Sequence, residues 1–379
     1  MTRHLPHHGV PARPPRDTRL DIVRGWLQLT IFMSHATGSW IGGWMIHGSW
    51  GLSDSSEQFV FLSGFTLGSV FARRAAQHGW QGGALDMLRR TVRLYRTQLL
   101  VFALFGAMVI LAGTSRRFPH EAEELGWGWL LRDPVHAVPA ALTMLYQPEW
   151  MGILPVFIWS MLVLPAFAAL EARVGDWALA APVSIYAAAW LLGLWPPSLG
   201  PDTGIGFNPF AWQLLFLLGA WLGRRALLFG QALPPARWVT VPAMVVLLIG
   251  VVLRLEWYGF VPWHAPFAEG PWITGKEGLA LPRVVHAMAL AWLVAALVPR
   301  DADWMHGALG RWLAAAGRHS LQVFCLGLFL SWGAGAAFRL WPGHWWTDPL
   351  LILAGCAALI VFGRALDHRR TVRRVAVAA

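Results

Sequence analysis

Cysteine is almost missing from this 379-residue chain, which has only Cys325 and Cys356. Both lie inside long apolar runs, which excludes a disulfide framework and leaves a catalytic thiol little support. Charge is scarce too: 13% of residues are charged against 56% hydrophobic, and the mean hydropathy of +0.49 is far from that of soluble domains. Polar stretches long enough for a soluble domain are also lacking, since the longest connections, 114–150 and 259–278, cannot build a core of their own. No GxSxG, Walker A, HExxH or CxxC arrangement stands in a suitable context, so serine-hydrolase, P-loop ATPase and zinc-enzyme chemistry have nothing to rest on. No inverted internal repeat is visible, which weighs slightly against a secondary transporter. The opening residues MTRHLPHHGVPARPPRD carry no small-residue cleavage site behind an apolar run, so 1–16 reads as a disordered cytoplasmic tail rather than a signal peptide.

What the chain has is apolar segments of the length that crosses a hydrocarbon core of roughly 30 Å as helix. They fall near 20–40, 53–72, 94–113, 151–170, 177–195, 210–228, 238–258, 279–298, 319–339 and 345–363. None shows the alternation of barrel strands, and lipid offers backbone amides no partners, so the expected fold is all-α: a polytopic bundle of about ten transmembrane helices. One membrane domain over 17–366 is expected, followed by a basic cytoplasmic tail at 367–379.

A net charge of +10 and a pI near 11 raise the question of nucleic acid, and position answers it. With ten crossings and the N-terminus inside, 22 of the 30 Lys and Arg residues fall in cytoplasmic segments. That asymmetry is the positive-inside rule; it places both termini in the cytoplasm and makes lipid, not nucleic acid, the partner. Many of the 25 tryptophans, among them Trp40, Trp44, Trp150, Trp195, Trp257, Trp341 and Trp345, sit near span ends, as interfacial rings do.

Ionisable groups inside spans are costly in hydrocarbon and mark the place to look for function. In the first span Asp21, Arg24, Gln28 and His35 share one face at 100° per residue. Arg24 is about 6 Å and His35 about 22 Å from the cytoplasmic end, so the stripe links both leaflets. The bland alternative is an i, i+3 Asp21–Arg24 pair and a His35 that only hydrogen-bonds between helices. In the second span Asp54 and Glu57 fall on one face at the outer end, where a carboxylate beside His35 would raise its basicity. Against that, Asp54 suits an N-cap with Glu57 as its capping-box partner. Arg93 and Arg96 precede the third span and, with Arg24 and Arg318, would suit a polyphosphate arriving from the cytoplasm. Arg283 and His286 share a face of the eighth span, with Lys276 and Glu277 at its mouth. An Arg this deep can pair with Glu57, stabilise an oxyanion or bind a substrate carboxylate.

At this point RLDIVRGW with His35, SDSSEQFVFLSGFTLG and RLYRTQLL resemble the opening motifs of OpgC-type proteins. LYQPEWMGILPVF, FNPFAWQLLFLLGAWLG, GKEGLALPRVVHAMALAW and GRHSLQVFCLGLFLSW are similar to that family's later blocks in the same order, over roughly residues 17–340. The resemblance implies a ten-helix membrane acyltransferase, related to the acyltransferase 3 superfamily, that adds succinyl groups to osmoregulated periplasmic glucans in the Gram-negative inner membrane. It implies a catalytic role for His35 and a donor-binding role for Arg24 and Arg93. Gln147, Asn208 and Gln213 lie in the matched blocks and join Asp54, Lys276 and His286 as expected substrate contacts. One departure stands out: Gly152 occupies the position before Ile-Leu-Pro where an acidic residue is expected.

The mechanism this implies uses acyl-CoA, succinyl-CoA by resemblance, as co-substrate and no metal. Its phosphates would bind Arg93, Arg96, Arg24 and Arg318. His35, oriented by Glu57 or a neighbour, would deprotonate a glucan hydroxyl, and Arg283 would stabilise the oxyanion or the succinyl carboxylate. Direct transfer and an acyl-His35 intermediate both remain open, as does assembly into a homo-oligomer. The rival readings are a transporter or flippase for a glycan or lipid precursor, and a membrane sensor or scaffold.

Overall fold

In hydrocarbon each backbone N–H and C=O has to find its partner within the chain, and a helix achieves this locally. The computed structural model, which describes residues 17–234, 236–263, 270–300, 302–342 and 345–378, is helical throughout, with no strand among the described residues. Its longer helices are α1 (Thr18–His35), α2 (Ser55–Gly113), α3 (Ile153–Val174), α4 (Ala180–Leu191), α5 (Pro209–Phe229), α6 (Arg237–Trp257), α7 (Leu281–Leu297), α8 (Ala308–Arg318), α9 (Ser320–Leu340) and α10 (Thr347–Ala378). The expected tail at 1–16 lies outside the described residues, whereas the basic segment after 366 continues α10 to Ala378.

Local chemistry sets the boundaries. Asp17 caps α1 by accepting the Arg19 N–H at 3.0 Å. Asn208 caps α5 in the same way, followed by Pro209 in the first turn, where a missing N–H costs nothing. The 59 residues of α2 would measure roughly 90 Å if straight, three bilayer cores. They are broken at His78 and Gly79, whose φ of 71° and ψ of 170° only glycine adopts readily. The segments at 53–72 and 94–113 are therefore two limbs of one merged helix. Among the described residues, five stretches are long and apolar enough to cross a membrane: Ser55–Gly113, Ile153–Leu191, Arg237–Trp257, Ser320–Leu340 and Thr347–Val372. The first two each contain two of the apolar segments read from the sequence.

The chain divides into two compact units. One comprises Val60–Pro235 and Gly275–Leu279. Within it α2 and α5 meet through glycines at i, i+4 spacing on both helices. A Cβ at Gly64 or Gly68 would run into the backbone of Phe216 or Ala220, and one at Gly219 or Gly223 into that of Phe61 or Phe65. Such small-residue faces let helix backbones approach where lipid offers no hydrophobic drive for association. Arg224 reaches the buried Glu171 at 2.5 Å and ties α5 to α3.

The other unit comprises Arg16–Phe59, Ala236–Thr274 and Ala280–Ala379. Here α1 lies between α8, α9 and α10, with Gly25 against the Leu313 carbonyl, Gly317 against that of Asp21, and Gly355 against the Phe32 ring. Ile22, Leu29, Phe32, Met33 and Leu313 form the apolar core between them. The buried Asp348 at the start of α10 accepts from Ser39 Oγ at 2.6 Å and from the Ile41 N–H at 2.9 Å, which fixes the segment following α1.

Candidate functional site

The second unit gathers most of the intramembrane ionisable groups. Asp54 Oδ1 accepts the Ser56 N–H at 2.8 Å, and Glu57 Oε2 accepts the Asp54 N–H at 2.9 Å, a reciprocal capping box that starts α2. The same Glu57 is fully buried and its Oε1 takes two donors from Arg283 of α7, Nε at 2.6 Å and Nη2 at 2.5 Å. Arg283 Nη2 also reaches Asp54 Oδ2 at 3.3 Å, and Nη1 the Thr274 carbonyl at 3.4 Å. Capping and ion pairing, alternatives in the sequence, thus coexist on one carboxylate. A buried ion pair is tolerable when its polar atoms find partners, and here each Arg283 guanidinium nitrogen and each Glu57 oxygen has at least one.

One turn further along α7, His286 fills a slot walled by glycine. A Cβ at Gly51 would stand 2.5 Å from its ring, and one at Gly250 2.8 Å. Its Nδ1 meets the Ser53 N–H at 3.3 Å and Ser53 Oγ at 2.8 Å. An N–H can only donate, so Nδ1 is the acceptor and the proton of the neutral ring sits on Nε2. Arg254 of α6 donates from Nε to the Gly51 carbonyl at 2.9 Å and lies over Trp257 at 4.5 Å, while Tyr258 donates to the Ser49 carbonyl at 3.0 Å. The loop before α2 is pinned from α6 and α7 alike. His47 in that loop is held below its ordinary pKa by burial, against the opposing hydrogen bond to the Asp54 backbone and the Asp54 charge.

On α1 the expected stripe is present, with Asp21 and Gln28 buried and Arg24 and His35 half-buried. His35 Nδ1 stands 2.8 Å from the Ile31 carbonyl and 3.0 Å from Ser34 Oγ. A carbonyl can only accept, so this bond puts the neutral ring's proton on Nδ1 and its basic lone pair on Nε2. The orientation comes from the helix's own backbone one turn earlier. Gln28 is 2% exposed, and neither its Oε1 nor its Nε2 has a hydrogen-bond partner among the described residues. Arg318 is engaged by Asp367 of α10 through Nε at 3.0 Å and Nη2 at 2.6 Å.

The other expected residues belong to the first unit, where Arg93 and Arg96 are exposed on α2. Gln147 braces its loop, accepting the Gly206 N–H at 3.1 Å and donating to the Met144 carbonyl at 2.9 Å. Asn208 donates to the Leu194 carbonyl at 2.8 Å besides capping α5. Gln213 donates to the carbonyls of Pro182 at 2.9 Å and Phe210 at 3.1 Å, while its Oε1 is buried with no partner among the described residues. The Lys276 ammonium lies 5.8 Å from the Phe207 ring. Gly152 has a local cause: a Cβ there would come within 3.1 Å of both Gln147 Oε1 and Phe207, tighter than packing normally allows. Neighbouring Tyr146 donates to the Gly126 carbonyl at 2.6 Å, and burial pushes its phenol up to about 12.

Ser53, Arg254 and the Ile31 carbonyl were not singled out in the sequence. Arg254 carried a usable signal, an Arg inside an apolar span. The other two carried none, because Ser53 gains its meaning from a residue more than 200 positions away and a backbone carbonyl has no sequence identity.

A family model described as OpgC protein matches residues 16–371, nearly the whole chain. No curated protein and no solved structure matches it.

Proposed function

The chain belongs to the OpgC protein family, and from that premise we propose that it is an integral-membrane O-acyltransferase moving a succinyl group from cytoplasmic acyl-CoA to hydroxyls of periplasmic glucans. The observation that carries this reading is the family match across residues 16–371. Ten crossings, with both termini in the cytoplasm of a Gram-negative cell, complete it; the helix found at each apolar segment and the distribution of Arg support that arrangement.

In this mechanism His35 Nε2 takes the proton of the acceptor hydroxyl, whose oxygen attacks the thioester carbonyl carbon. The tetrahedral oxyanion collapses with loss of the carbon–sulfur bond, and the leaving thiolate takes the proton back from the imidazolium. The Nδ1 contact to Ile31 supports the role, since it presents the required tautomer and stabilises the positive charge that develops on the ring. Arg283, with its nitrogens already on Glu57, Asp54 and Thr274, acts as a positioning residue that holds the start of α2. Arg24 and Arg318 serve the donor phosphates. His286 serves the acceptor, and Asp54 shapes the loop before α2.

The test is a mass-spectrometric comparison of periplasmic glucans from cells with and without the protein. An added succinyl mass that disappears in His35→Ala, with the variant still present in the membrane, is the expected result. No added mass on any glycan would remove the acyltransferase reading, and movement of a glycan without modification would put a transporter in its place.

A further inference from the structure

Gln28 of the α1 stripe has a buried side-chain amide with no hydrogen-bond partner among the described residues. A primary amide offers two donors and two acceptor lone pairs, and all of them here lie beneath the surface, 2% exposed, without a partner among the described residues. An unsatisfied buried polar group costs about 1–3 kcal/mol, and such a group in a native protein calls for a reason. The stripe supplies one. Gln28 stands about 6 Å along the helix from Arg24 on one side and about 10 Å from His35 on the other, on the same face.

We propose that Gln28 is a positioning residue for the donor, pairing its amide with the farther amide of the pantetheine arm. This rests on acyl-CoA being the donor. A secondary amide carries one N–H and one C=O, the complement of the carboxamide's acceptor and donor. In an extended arm that amide lies about 8 Å from the thioester sulfur, at backbone-like bond lengths, and the diphosphate about 6 Å beyond it. With the thioester at His35, the amide falls at the level of Gln28 and the diphosphate at that of Arg24. Gln28 thus sets how far the arm is threaded, and so whether the carbonyl arrives beside the base.

The experiment compares wild-type protein with Gln28→Met, nearly isosteric and without an amide, on two donors: succinyl-CoA and S-succinyl-N-acetylcysteamine, which lacks the farther amide. A glucan oligosaccharide is the acceptor. The expected result is a loss of about tenfold in kcat/KM on succinyl-CoA, mostly in donor KM, shrinking towards no difference on the truncated donor. Gln28→Asn, which keeps the amide but withdraws it by one methylene, shows the same donor-selective loss. The Met variant melts no lower than wild type, because no hydrogen bond to the described residues is lost. Equal effects on both donors, or a lowered melting temperature with equal losses, would assign Gln28 to helix packing or a buried water and overturn the proposal. A wild-type protein that transfers from neither donor would instead overturn the acyl-CoA reading on which it stands.

Discussion

A carboxylate with no exposed surface, such as Glu57, is secure only while its partners stay in place. Arg283→Met should leave that charge stranded and cost about 3–5 kcal/mol, whereas Arg283→Met combined with Glu57→Gln should cost clearly less than the sum of the single changes. Melting curves of the three purified variants in one detergent measure the coupling, and additive losses would mean the pair is not interacting. His47 sets a pH dependence. Its folded-state pKa lies below 6.5, so as pH falls below about 6.5 the unfolded chain binds more protons than the folded one, and stability declines in that window. Taking the wild type from about pH 7.5 to 5.5 should therefore lower its melting temperature more than that of His47→Gln. The α1 stripe could be read from the sequence because helical geometry alone puts Asp21, Arg24, Gln28 and His35 on one face. The Ser53–His286 contact could not, since it depends on tertiary structure bringing α7 to the loop before α2.

Among elements, the glycines divide by physical cause. Gly64→Ala drives a methyl group into the Phe216 carbonyl, and overpacking of this kind costs about 1–3 kcal/mol, while Gly43→Ala meets open space and should be neutral. Gly79→Ala also meets open space, yet its positive φ makes the backbone itself resist, so a cost of about 1 kcal/mol or more is expected without any clash. Comparing the melting temperatures of these three variants separates contact from conformation. The apolar segments were legible because a span length of apolar residues has little alternative to a helix. The merging of two spans into α2, with its break at one glycine, was not, because a run of helix-compatible residues such as HGWQGG does not declare which glycine leaves the helix. Nor could sequence show that Asp348 would cap backbone beyond α1, a contact set by the packing of α10.

For the whole molecule the orientation proposed here can be tested by labelling, and the scarcity of cysteine makes this simple. Once Cys325 and Cys356 are replaced, Arg369→Cys should react with an impermeant maleimide only after the inner membrane is opened, and Glu124→Cys should react in spheroplasts. Reversed labelling would invert the topology and with it the side from which the donor arrives.

The Glu57–Arg283 pair also has a history within each molecule's synthesis. The two residues are 226 positions apart, so at roughly 5–20 residues per second the carboxylate emerges some 10–45 s before its counter-charge exists. During that interval the nascent segment carries the start of α2 without the guanidinium that later holds it. Arrival of α7 then closes the clamp, which makes the order of emergence from the ribosome a part of how this protein becomes competent.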